Sequence, residues 1–89
     1  MTTVVGTHAV GNMDTWLAGA ESRKAVFGQF CSGYRIFRHM DGNKVAIVWE
    51  GVDLAKMKAT LDTPETAAAK AKHMVIDPVE LYVEIDEGK

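Results

Sequence analysis

"YRIFRHMDGNKVAIVWE", residues 34–50, is the stretch that decides the architecture. Residues 34–40 and 44–50 are rich in aromatic and β-branched side chains, and each predicts a strand. Between them Asp41-Gly42-Asn43 predicts a hairpin turn, because Gly and Asn tolerate positive φ. The middle of the chain is therefore read as an antiparallel strand pair.

Working outward toward the N-terminus, residues 2–10, "TTVVGTHAV", are β-branched and uncharged and predict a buried strand. A turn follows, with Asn12 or Asp14 able to cap a helix. Met13, Trp16, Leu17 and Ala20, then Val26, Phe27 and Phe30, fall at helical spacing. One helix from Met13 to about Phe30 is expected, weakened at Gly19 and Gly28, with a kink near Glu21–Ser22. Toward the C-terminus, Asp53 can cap a helix whose Leu54, Met57 and Leu61 share one face. Thr63-Pro64-Glu65 is a fresh start signal, so that helix is expected to break near Asp62–Thr63. Asp77-Pro78 interrupts the chain again. Residues 79–85 alternate, with Val79, Leu81, Val83 and Ile85 on one face, and predict the last strand. Tyr82 shares the other parity with Glu80 and Glu84, a position suited to a dimer contact. The tail, residues 86–89, is polar and expected to fray.

The order β-α-β-β-α-β predicts an α+β, ferredoxin-like domain over residues 1–89: a four-stranded antiparallel sheet with helices on one face. The other face then needs a cover. Two such sheets packed face to face supply one, so a homodimer is expected. A chain of 89 residues also builds only a small core, which favours pairing.

Composition narrows the function. The apolar share of 47% is that of a globular protein. The net charge of −2, with Lys and Arg dispersed, gives no electrostatic footprint for nucleic acid. Cys31 is the single cysteine, which excludes an internal disulfide and is compatible with a reducing compartment. No leader pattern and no membrane-spanning apolar run is present, so a cytoplasmic protein without a membrane partner is expected. The histidines and the cysteine lack the close-spaced pairs of a zinc site, and no metal is expected. No phosphate loop, dinucleotide fingerprint or nucleophile elbow is found.

"THAV-GNMDTW", "GYRIFRHMDGNKVAIVWE" and "DLAKMKATLDTPETAAAKA" together resemble the dimeric α/β-barrel superfamily across nearly the whole chain. That group includes antibiotic-biosynthesis-type monooxygenases, small polyketide cyclases, muconolactone isomerases and haem-degrading monooxygenases. The resemblance is greatest to small bacterial cyclase-like proteins. It implies a cofactor-independent enzyme acting on a small aromatic, polyketide-like or lactone-like molecule. Two departures stand out. Trp49-Glu50-Gly51 lacks the tryptophan that follows the acid in many relatives. Lys58 and Ala59 stand where haem-degrading members carry a tryptophan, leaving only His73 to match, so haem is the less favoured alternative.

His8 is the candidate general acid or base, because imidazole titrates near working pH. A core histidine bonded to backbone is the competing reading. Trp16, Tyr34, Trp49, Met57 and His73 are the candidate lining of a pocket for a small apolar or aromatic ligand. His73, near a helix C-terminus, is equally readable as a solvated side chain favoured by the helix dipole. His39, beside the hairpin, is expected to be exposed, and Cys31 buried and unreactive. Arg35 and Arg38, three apart on a strand, are expected on opposite faces. A non-catalytic ligand-binding or assembly domain of the same fold is the alternative function.

Overall fold

The computed structural model describes residues 1–85. The elements are β1 (Thr2–Val10), α1 (Met13–Leu17), α2 (Ala20–Phe27), β2 (Gly33–Arg38), β3 (Lys44–Val52), α3 (Leu54–Leu61), α4 (Pro64–Lys72) and β4 (Val75–Val83). The strands form one antiparallel sheet in the order β2-β3-β1-β4, which is the ferredoxin-like arrangement. The expected tail, residues 86–89, lies outside the described residues.

Strand parity decides which face is covered. Val4 and Val10 of β1 and Val45, Ile47 and Trp49 of β3 point to the helices and are buried with Trp16, Phe27, Phe30, Val52 and Met57. The ring of Phe27 meets Trp49 edge-on at 5.2 Å and Tyr34 at 5.0 Å, so α2 is keyed to β2 and β3 by aromatic contacts. The opposite parity carries Val5, Val48, Phe37, Ala46, Ile76 and Tyr82, aligned across the strands by register. No element of the described chain covers this face. Tyr82 stands on it 55% exposed. Arg35 lies there too, 3.2 Å from Glu50, while Arg38 has the other parity, as their spacing requires.

The caps explain the helix starts. Asn12 Oδ1 accepts from Thr15 N–H, Asp53 Oδ1 from Lys56 N–H, and Thr63 Oγ1 from Thr66 N–H. The Thr63-Pro64 signal separates α3 from α4 at the expected place. Three expectations are corrected. The first helical stretch breaks at Ala18–Gly19, not near Glu21–Ser22, and α2 ends at Phe27. The break falls at the glycine, a poor helix former, against which the His73 ring packs so closely that a Cβ there would sit 2.6 Å from its Cε1. β4 begins at Val75, ahead of Pro78, and ends at Val83, so Ile85 falls beyond it. Proline is tolerated because β4 is an edge strand and the register slips there: Thr7 pairs with Glu80, but Ala9 pairs with Ile76. The hairpin forms, but without positive φ in its loop. Such values occur only at Gly51 and Met74 among the described residues, and His39 Nδ1 accepts from Asp41 N–H to shape the turn.

Candidate functional site

His8 sits on β1 with the helix-facing parity, opposite Val45 of β3. On its other side the slip in β4 leaves Asp77, Pro78 and Val79 facing a single β1 residue. The sheet is therefore loosened beside His8, and His8 borders two cavities. One, about 390 Å³, opens on the bare sheet face near Phe37, His39 and Asp77. The other, about 100 Å³, lies between sheet and helices.

The helix-side cavity gathers the chemistry. His8, Trp16, Trp49 and His73 line it together. Trp16 is buried to 1% exposure, and its ring meets His8 edge-on at 5.9 Å. His73 caps α4, its N–H donating to Ala69 C=O, and its half-buried ring leans on Gly19. Trp49 is able to lie over β1 because residue 6 is glycine: a Cβ there would be 2.6 Å from Cη2 of the indole. Tyr34 and Met57 are not part of the lining. Tyr34 packs edge-on against Phe27, and Met57 lies a turn nearer the start of α3 than Leu61, in a separate hollow with Val4, Leu81 and Val83. Leu61, one turn later on α3, reaches both.

Arg23 was not among the sequence candidates and is the site's least expected member. It lies on α2, 7% exposed, with Nη1 donating to Trp16 C=O at 2.8 Å. Its Cζ stands 3.7 Å from the centroid of the Trp16 ring, a cation–π stack. A signal for it existed. Trp16, Ala20, Arg23 and Phe27 follow the 4-3-4 spacing of one helix stripe, so this arginine falls on the apolar side.

The electrostatics favour a neutral imidazole. His8 Nδ1 lies 3.0 Å from Ala9 C=O, which can only accept, so Nδ1 carries the proton and Nε2 keeps its lone pair. Burial pushes the His8 pKa below its ordinary value; the Ala9 bond opposes this, and Lys70 and Arg23 add to it. Burial, then Arg23 and Lys72, lower His73 in the same direction. Lys70 is held 3.0 Å from Asp77. Cys31 Sγ donates to Phe27 C=O, and burial raises its thiol pKa, so it remains a protonated thiol away from the site. Among the described residues no group of three His, Cys, Asp or Glu side chains gathers as metal ligands, and no helix is long and apolar enough to cross a membrane.

This fold is shared with solved structures over nearly the full length of both chains. An antibiotic biosynthesis monooxygenase superposes with a TM-score of 0.68 at 13% identity, covering 96% of this chain and 97% of that one. SnoaB, a cofactor-independent oxygenase from Streptomyces nogalater, superposes with a TM-score of 0.70 at 15% identity, covering 99% and 94%. Rv0793 from Mycobacterium tuberculosis gives 0.58 at 15% identity, with both chains covered completely at 100%. The protein thus has the ferredoxin-like fold of these structures. No family model matches the sequence, and no curated protein matches it.

Proposed function

We propose that the protein is a small-molecule enzyme of the cofactor-independent oxygenase, cyclase or isomerase kind, with His8 Nε2 removing a proton from an acidic O–H or C–H of a ring compound. The observation that carries this reading is a histidine on the wall of an aromatic cavity, with Nδ1 held by Ala9 C=O and a pKa lowered by burial. A strand holds the ring firmly, and the indoles of Trp16 and Trp49 offer flat apolar surfaces to a planar ligand. A cavity of about 100 Å³ takes part of one ring, with the remainder of the molecule at the mouth. A haem macrocycle is larger than that space. The bare sheet face supports a homodimer in which two sheets pack together, burying on the order of 1,200 Å² or more. Its apolar stripe of Val5, Val48, Phe37 and Tyr82 runs across all four strands.

The backbone bond of His8 supports one other reading, a ligand-binding module without turnover. One assay separates the two. A panel of one-ring and two-ring hydroxyaromatics is followed for binding, oxygen uptake and product mass. Turnover is expected, and His8→Ala is expected to lower it by ~10²–10⁴-fold, the usual contribution of general acid–base catalysis. Binding without turnover would assign the protein to the binding-module class, and turnover unchanged in His8→Ala would remove the acid/base role from His8.

A further inference from the structure

Arg23 is a buried guanidinium with no carboxylate partner among the described residues, whose two ion pairs are Arg35–Glu50 and Lys70–Asp77. A cation in that position is costly unless its charge and its donors are met. The Trp16 carbonyl and the Trp16 ring meet part of the demand. Arg23 Nε is buried without a hydrogen-bond partner. A second residue of the same cavity lining, Trp49, has its Nε1 buried in the same condition. Both orphans are donors, and no buried side-chain acceptor among the described residues is left open. The other ionisable side chains of the lining, His8, His73 and Lys70, are all basic. A ligand that satisfies this wall supplies acceptor oxygen and negative charge.

We propose that the cavity selects a phenol or enol bound as its oxyanion, with the charged oxygen received by Arg23. The inference rests on the reading of this cavity as the ligand site and names the class of molecule it takes. With Nη1 committed to Trp16 C=O, the oxygen is received on the Nε–Nη2 edge, where the unpartnered Nε–H lies. An apolar cavity of roughly 150 Å³ accommodates benzene; this one, about 100 Å³, takes part of one ring and leaves the rest of the ligand at its mouth. The ring would lie among Trp16, Phe27 and Trp49, with its oxygen toward α2.

The test uses 4-nitrophenol, whose phenolate absorbs visible light, titrated against pH with and without saturating wild-type protein. The bound phenol is expected to titrate roughly one unit lower or more, about a tenfold preference for the oxyanion, as for an acid placed beside a cation. 4-Nitroanisole, the neutral ether of the same ring, is expected to bind about tenfold more weakly than the phenolate. Arg23→Gln is expected to abolish the preference, and Arg23→Lys to restore part of it. An unchanged or raised titration in the wild type, an equal affinity for the ether, or no binding of either probe overturns the proposal, and none of these readings needs a folded variant. The outcome is independent of turnover. A lowered phenol titration with full activity in His8→Ala removes the acid/base role and keeps the anion site. Turnover without the lowered titration does the reverse.

Discussion

Replacing Gly6 by alanine tests the packing on which the cavity depends. The added methyl would stand 2.6 Å from Cη2 and 2.7 Å from Cζ3 of Trp49, and 3.1 Å from a Leu81 methyl. Leu81 is on the edge strand and can turn aside. The indole cannot easily do so, because Phe27 and Phe30 close on it at 5.2 and 6.0 Å and it is only 3% exposed. Overpacking of this kind costs about 1–3 kcal/mol. Against it, alanine restricts the unfolded chain and returns about 0.4–1 kcal/mol. The net loss is roughly 1–2 kcal/mol, which for a domain this small lowers Tm by roughly 5–15 °C. Gly42→Ala is the control, since its Cβ would meet only His39 Nδ1 at 3.6 Å, an ordinary contact. Urea and thermal unfolding followed by far-UV circular dichroism, at one fixed protein concentration, measure both variants. A Gly6→Ala midpoint equal to the wild type, or to Gly42→Ala, would refute the claim that residue 6 is glycine to admit Trp49.

Three further outcomes follow from the same structure. Gly19→Ala drives a methyl into the His73 ring, so it is expected to weaken ring-compound binding several-fold while far-UV circular dichroism stays native, checked by titration calorimetry. Asp53→Ala removes the cap on Lys56 N–H and is expected to cost about 1 kcal/mol in urea unfolding, with Asp53→Asn close to neutral. His8 and His73 both titrate lower in the folded protein than in the unfolded chain. The unfolded chain therefore binds more protons between the two values, and stability rises with pH there. Tm is expected to hold above about pH 6.5 and to fall as acid carries the pH down through the folded values. His8→Gln is expected to flatten that fall, and a Tm that rises on acidification would contradict the assignment.

How much of this was legible in the sequence depended on whether the deciding contact was local. The hairpin strands, the Asp53 cap and the Thr63-Pro64 restart are written in neighbouring residues, and the structure follows them. Gly19 was read locally as a weak point of the helix, but the His73 ring that packs against it, more than fifty residues away in the chain, lies in no local pattern. Likewise Asp77-Pro78 reads locally as an interruption, yet it lies inside β4 because an edge strand absorbs it in a register slip. Among the site candidates, the sequence left the sheet face of His8 open, and only the strand register puts it on the helix side beside Trp16. Met57 was misassigned to the cavity because spacing identifies the buried side of α3 but not which strand end lies beneath each turn. Arg23 was missed because its charge suggested solvent. Only the stack on Trp16 and the Trp16 carbonyl show why it is inside.

The central claim is that His8 is a neutral base facing a ligand. Nitrogen-detected NMR of the imidazole rings, recorded across pH with and without 4-nitrophenol, tests it most directly. The structure predicts a proton on Nδ1, a bare Nε2, a titration below the ordinary value of about 6.5, and a shift of the Nε2 signal when the probe is added. A proton on Nε2 with an ordinary titration, or an Nε2 signal indifferent to the probe, would contradict it and leave His8 a structural histidine.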